Sequence, residues 1–211
     1  MLRIDRDCDA FLAIDVQNDF CSGGALAVPD GDAVVRPIYL LMGRFTQIVA
    51  TQDWHPADHA SFAASHPGAA PFSTIEMPYG AQTLWPVHCV QGTRGADFHV
   101  GCALDRATAI IRKGWRSNID SYSAFFENDK TTPTGLSGLL RERGVSRVFL
   151  AGLATDFCVS FSALDARRLG FEVCVVLDAC RAIDLNGSLA AAREAWQAAG
   201  VSVAEAAEIG A

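Results

Sequence analysis

Residues 10–16 read AFLAIDV, six apolar residues interrupted only by Asp15. A strand with one wet face alternates apolar and polar residues. This run has no polar face before Asp15, which is the pattern of a strand covered on both sides in a parallel sheet. Runs of the same kind recur at residues 47–51 (QIVAT), 109–112 (AIIR), 147–153 (RVFLAGL) and 172–177 (EVCVVL), with a shorter one at 201–203. Helical patterns fill the gaps. They are predicted at 32–45 with Asp30 or Asp32 as N-cap, at 135–143, at 157–169 with Thr155 as N-cap, and at 188–199 with Gly200 just past the last turn. Strands alternating with helices predict an α/β fold whose parallel strands are joined by crossover helices.

The length of 211 residues, against roughly 100–200 for a typical domain, predicts a single domain over residues 1–211. With 50% hydrophobic and 19% charged residues, the chain can bury a full core, which excludes intrinsic disorder. Its 24 acidic and 17 basic residues leave a net charge of −7, and the basic ones are scattered. Nucleic acid and anionic membrane surfaces are therefore excluded as partners. No stretch reaches the ~20 apolar residues of a membrane span. Cys8, Cys21, Cys89, Cys102, Cys158, Cys174 and Cys180 form no CxxC pair and follow no signal-peptide core. They read as reduced thiols of a cytoplasmic protein, most of them inert and one a candidate for reactivity.

Asp15, Asp53, His55, Lys113 and Cys158 each fall at or just past the end of a predicted strand. In an open parallel sheet those ends border one crevice. Cys158 follows Thr155 by three residues, placing its sulfur in the first turn of a helix, where unpaired N–H groups favour a thiolate. Asp15 could accept the thiol proton, Lys113 could hold that carboxylate, and backbone N–H groups near Ala154 and Cys158 could receive an oxyanion. Each residue also has a plainer reading as a turn cap, a solvated lysine or a buried structural thiol. Asp53 and His55 alternate along an extended segment and can face one divalent ion such as Zn, Mn or Fe. Residues 56–104 carry Pro56, Pro67, Pro71, Pro78 and Pro86 and add His59, His66, His88 and His99. A loop of that length in a compact domain points to a functional insertion. The plainer reading of its histidines is loop capping.

Five stretches closely resemble the nicotinamidases of the isochorismatase-like cysteine hydrolase superfamily. They are AIDVQNDFCSGGALAVPDG (13–31), ATQDWHPADHASFA (50–63), LWPVHCVQGTRGADFH (84–99), IIRKGWRSNIDSYSAFF (110–126) and LAGLATDFCVSFSALDA (150–166). The likeness spans about residues 11–200. It implies a three-layer α/β/α fold with a six-stranded parallel sheet, a catalytic triad of Asp15, Lys113 and Cys158, and an oxyanion hole at Ala154 and Cys158. It also implies metal ligands Asp53, His55 and His88, with His59 outside the set, and one divalent ion, zinc first and Mn or Fe as alternatives. Phe20, Trp85 and Tyr122 resemble pocket residues around a pyridine ring, and a cis peptide is expected between Leu153 and Ala154. Cys21 and Cys89 flank the pocket and are candidates for oxidation. The implied activity is hydrolysis of nicotinamide, and of pyrazinamide, to nicotinate and ammonia through a cysteine thioester, a step of NAD salvage. The ion would bind the ring nitrogen. The partner expected is the small-molecule substrate, with assembly into a homo-oligomer left open. The alternatives are an amidohydrolase of the same superfamily acting on a ureido compound, a non-catalytic binding module and a redox thiol protein. The DWH and WPVHC segments, the intact triad and the lack of a second cysteine beside Cys158 argue against each in turn.

Overall fold

Strands and helices alternate along residues 2–210, the part of the chain that the computed structural model describes. The strands are β1 (Leu2–Arg3), β2 (Asp9–Ile14), β3 (Gln47–Asp53), β4 (Thr74–Met77), β5 (Gly80–Thr83), β6 (Ala109–Lys113), β7 (Arg147–Leu153), β8 (Glu172–Arg181), β9 (Ser202–Ala204) and β10 (Ile209–Gly210). The α-helices are α1 (Val35–Met42), α2 (Leu136–Glu142), α3 (Ser160–Arg168) and α4 (Ser188–Ala199). β6-β3-β2-β7-β8-β9 form one six-stranded sheet, parallel throughout, against which the helices pack. β2 lies at its centre, and every residue of it is buried. Burying side chains such as Phe11, Leu12 and Ile14 there contributes about 1.5–3 kcal/mol each. The α/β class and the six parallel strands follow the expectation. β1 pairs with β10, and β4 with β5, as small separate ribbons.

Several boundaries differ, each for a local reason. The helix expected at 32–45 breaks into a 3₁₀ turn at Gly31–Val34 followed by α1. Neither Asp30 nor Asp32 caps it, because the Asp32 carboxylate accepts from the Ser22 N–H and hydroxyl instead. Pro37 lies in the first turn of α1, where its missing N–H costs nothing. The segment expected as a helix from 157 opens as a π-helical turn, Thr155–Val159, and becomes α-helical at α3. Thr155 does not cap it. The residue before the turn is Ala154, whose carbonyl accepts from the N–H groups of Phe157 and Val159. β3 and β6 each run one or two residues longer than the apolar pattern, so Asp53 and Lys113 end their strands as register partners. β8 continues to Arg181 through a register shift opposite Leu150 and Gly152. Gly152 (φ +135°) has no room for a side chain, since a Cβ there would lie 2.0 Å from the Ile14 carbonyl oxygen.

Residues 56–104 are organised rather than slack. They contain the β4–β5 hairpin, short 3₁₀ turns, and parallel bridges from His55 to Val90 and from Phe62 to Trp85. These bridges fold the insertion back over the ends of the strands. No helix among the described residues is long and apolar enough to cross a membrane.

Candidate active site

The strand order sets where the site can form. From β2 the chain proceeds outward through β3 and β6, then returns to the other side of β2 as β7, followed by β8 and β9. The crevice at such a switch point, past the carboxyl ends of the strands, is where open α/β sheets bind ligands. Asp15 follows β2, Asp53 ends β3, Lys113 ends β6 and Cys158 sits in the turn after β7. All four are buried, and they meet.

Lys113 Nζ is their hub. It pairs with Asp15 Oδ2 at 2.8 Å and with Asp53 Oδ1, donates to the Ser121 carbonyl at 2.9 Å and lies 3.4 Å from Cys158 Sγ. Burial opposes its charge, but the two carboxylates outweigh burial and hold Lys113 protonated, well above its ordinary range. The carboxylates themselves are driven apart. Burial pushes Asp15 up to about 6 despite Lys113, and the charge of Asp53 adds to the rise. Asp53 is equally buried, yet Lys113, His55 and His88 together hold it below the ordinary carboxylate range. One carboxylate is thus poised to exchange a proton near neutrality while its neighbour stays ionised. Thr51, on β3, donates to Asp15 Oδ1 at 2.6 Å and accepts the Asp15 N–H at 3.1 Å. Gln17 clamps the backbone of Asp53 with two 2.8 Å hydrogen bonds.

The helix-start argument for a thiolate at Cys158 is corrected by its surroundings. Burial raises the thiol well above its ordinary value; Lys113 opposes that rise, and the charges of Asp15 and Asp53 add to it. The resting group is a thiol, with the base that can deprotonate it alongside. The other cysteines are free, and all but Cys8 are buried. Cys21 and Cys89, the candidates for oxidation, are both buried. Burial pushes Cys21 up to about 11, and Cys89 is raised well above the ordinary range.

Asp53, His55 and His88 bring one ligand atom each within 4.8 Å of one another. Hydrogen bonding fixes which ring nitrogens are free. His55 Nδ1 faces the Gly114 carbonyl at 2.9 Å and His88 Nδ1 faces the Pro86 carbonyl at 2.8 Å. A carbonyl only accepts, so both Nδ1 atoms carry the proton and both Nε2 lone pairs are bare. Those Nε2 atoms lie 3.6 and 3.9 Å from Asp53 Oδ2. Ligands held about 2.0–2.2 Å from one zinc ion sit roughly 3.3–3.6 Å from each other in a tetrahedron. Carbonyl-anchored imidazoles are the usual support of metal-binding histidines, so the donor set fits a divalent ion. Burial, reinforced by His55, lowers His88 to about 4 and keeps it neutral. Burial works against charge on His55 too, but the neighbouring Asp53 raises it, so a proton competes there with a cation. Gly114 (φ +63°) is required at its position, because a Cβ would lie 2.4 Å from the His55 ring.

The same reasoning sorts the remaining histidines. The His59 ring lies tilted against His55 with centroids 4.4 Å apart, but its Nε2 faces the Ile119 carbonyl and its Nδ1 accepts the Ser61 N–H, so it has no free lone pair. His66 bonds the Ala60 carbonyl. Cys21, Asp32 and His99 also cluster. There His99 Nδ1 accepts the Gly101 N–H, which puts the ring proton on Nε2, facing Asp32 at 3.6 Å. That group ties two loops together. His66 and His99 are loop caps.

The cleft above the thiol is walled by Phe20, Trp85 and Tyr122, the three aromatics singled out in the sequence, and by Phe157 and Ile183, which were not. Ala154 lines it beside Cys158, and the Leu153–Ala154 peptide is cis. Trp85 meets Phe157 edge-on at 4.9 Å and donates its Nε1–H to the Tyr122 hydroxyl at 3.0 Å. Phe20 packs against the His88 ring at 5.5 Å. Asp120 lines the cleft as well, and its Oδ2 accepts from Gln82 at 2.8 Å. Sequence reasoning missed Thr51, Asp120 and Gln82. Asp120 lay inside a stretch already quoted, two residues before Tyr122, but nothing in its local pattern distinguishes it from a turn aspartate.

The model of the isochorismatase domain matches residues 9–208. A nicotinamidase of Acinetobacter baylyi is 53% identical over 188 residues, covering 89% of this chain and 86% of the relative. Among solved structures, an Acinetobacter baumannii nicotinamidase/pyrazinamidase superposes with a TM-score of 0.94 at 52% identity, covering 96% of this chain and 98% of that one. The protein PnC1 from L. infantum, in complex with nicotinate, superposes at 0.87 and 39% identity, over 99% and 98% of the two chains. A Pyrococcus horikoshii pyrazinamidase in complex with zinc superposes at 0.74 and 35% identity, over 93% and 98%. With its parallel sheet, its switch-point crevice and these relatives, the chain belongs to the isochorismatase family.

Proposed function

We propose that the protein is an amidohydrolase that converts nicotinamide, and pyrazinamide, to the ring carboxylate and ammonia through a thioester at Cys158, in NAD salvage. The observation that carries this reading is the junction of two sets of groups in one aromatic-walled cleft. One is Asp15, Lys113 and Cys158 in mutual contact, and the other is Asp53, His55 and His88 beside them. The relatives named above, one holding nicotinate and one holding zinc, support the same assignment.

Asp53, His55 and His88 would hold the divalent ion, for which zinc suits two imidazoles and a carboxylate. Once bound, the ion would supply a Lewis-acid anchor for the ring nitrogen and so orient the amide. The chemistry on the amide belongs to the triad. Asp15, ionised above about pH 6, takes the thiol proton of Cys158, and Lys113 stabilises the thiolate as it forms. The sulfur attacks the carboxamide carbon. The oxyanion faces the N–H groups of Ala154 and Cys158, and Asp15 returns its proton to the leaving nitrogen, which departs as ammonia. Water, activated by the same carboxylate, then attacks the thioester carbonyl and releases the acid, and the thiol proton is restored. Phe20, Trp85 and Tyr122 enclose the ring and keep bulk water from the thioester until the amine has left.

Ammonia and nicotinate released from nicotinamide are measured for the protein as isolated, after chelation and dialysis, and after zinc is restored. The reading expects turnover, its loss and its return. Unchanged turnover by a protein that elemental analysis shows to be metal-free would contradict the Asp53–His55–His88 assignment. No turnover in any state would contradict the substrate.

A further inference from the structure

Asp19 sits in the 3₁₀ turn Asn18–Phe20, and the mechanism above gives it no part. Its carboxylate reaches across to the insertion, where Oδ2 accepts the Cys89 N–H at 2.7 Å, while Oδ1 accepts the Ala25 N–H at 3.2 Å. Cys89 is buried and held in the left-handed region (φ +47°), a conformation that strains any residue with a Cβ. Two hydrogen bonds keep it there. Asp19 takes its N–H, and its carbonyl accepts the His55 N–H at 3.0 Å. The N–H that Asp19 takes belongs to the peptide joining His88 to Cys89, so the carboxylate orients the backbone directly behind the His88 ring. Phe20, the next residue, packs on that ring. Gly95 makes room for the arrangement, because a Cβ there would lie 2.1 Å from Asp19 Oδ2. The turn that carries Gly95 is itself fixed, since the Ala96 carbonyl accepts from the side chains of Gln17 and Gln52 at 2.8 and 2.9 Å.

We propose that Asp19 is a positioning residue of the metal centre, which holds the His88–Cys89 peptide so that the bare Nε2 of His88 faces the ion shared with Asp53 and His55, and that Gly95 gives it the space to do so. The proposal rests on the reading of Asp53, His55 and His88 as metal ligands. Gln17 clamps the Asp53 backbone in the same way, so one turn after β2 serves two of the three ligands. Without the carboxylate, Cys89 is free to leave the left-handed region, and His88 turns with the peptide. Ligand histidines depend on the groups that orient them, and loss of such a group typically costs about 10–100-fold in metal affinity.

Zinc affinity is read by titrating the zinc-free protein against a chromophoric chelator, with far-UV circular dichroism and the melting temperature of the zinc-free form recorded alongside. Asp19→Ala should weaken zinc binding about tenfold or more. Asp19→Asn keeps an oxygen for the Cys89 N–H and should stay within about threefold of the unsubstituted protein. Gly95→Ala retains Asp19 but drives its carboxylate away from Cys89. It should weaken zinc binding at least about threefold, and add nothing in the Asp19→Ala background, where there is no carboxylate to displace. Unchanged zinc affinity in Asp19→Ala, even with a lowered melting temperature, is what a residue that only supports the fold would give, and it would overturn the proposal. So would equal losses in the Ala and Asn variants, which would make the effect one of charge. Should Asp19→Ala fail to fold, Gly95→Ala, in which only the end of a side chain has to give way, decides alone. Failure of the metal reading shows separately, as no zinc binding by the unsubstituted protein, and removes the proposal with it.

Discussion

Asp15 and Asp53 are the same residue type, equally buried, and both touch Lys113, yet they take opposite roles. Asp53 has two imidazoles for neighbours in addition to the lysine, whereas Asp15 has a hydroxyl and a thiol. Asp15 therefore titrates. It is protonated below about 6 and ionised above it, and only the ionised form can take the thiol proton. kcat/KM for nicotinamide should then fall about tenfold per unit as pH drops below about 6, because that parameter reports the free protein's essential base. Asp15→Asn should abolish the inflection and lower kcat by on the order of 10²–10⁴, the usual worth of a positioned base. A pH profile measured at saturating metal checks both. At this scale the sequence was informative where chemistry coincides with a strand end, as at Asp15, Asp53, Lys113 and Cys158. It was silent where a role exists only by contact. Thr51 meets Asp15 across 36 residues and Gln82 meets Asp120 across 38, and neither spacing leaves a local pattern.

Elements aim these residues, and glycines set how closely the elements approach. Gly114 follows β6 in a left-handed conformation, gives its carbonyl to His55 Nδ1 and leaves space for the His55 ring. Gly114→Ala should displace that imidazole. The expected outcome is a protein with unchanged far-UV circular dichroism, at least tenfold weaker zinc affinity in titration, and turnover restored in part by excess zinc. The turn that carries Cys158 shows the limit of sequence reading for an element. The strand before it and the helix after it follow from periodicity. The π-helical turn between them does not, because it depends on the Ala154 carbonyl taking N–H groups from Phe157 and Val159. The buried Asp156 within that turn accepts from the N–H groups of Ile183 and Asp184 and from the Ser188 hydroxyl, pinning the loop after β8 that carries Ile183 to the cleft.

On the scale of the molecule, the sheet brings four strand ends to one crevice, and the insertion at residues 56–104 closes it with Trp85 and His88. The apolar runs made the parallel sheet legible. The order of its strands was not, because nothing in a run of Val, Ile and Leu specifies which neighbour it pairs with. An ion that binds the folded cluster and not the unfolded chain stabilises the fold by mass action, about 3–4 kcal/mol at 100 to 1,000 times its Kd. Chelation should therefore lower the melting temperature and added zinc should restore it, whereas the Asp53→Ala protein should melt at one temperature with or without zinc. The sheet, the insertion and the Asp53–His55–His88 group converge around the sulfur of Cys158. Ammonia release from nicotinamide, compared between the unsubstituted protein and Cys158→Ala with equal zinc content, tests the role of that sulfur most directly. The account predicts rapid release by the first and none above the uncatalysed rate by the second. Turnover by Cys158→Ala would contradict it.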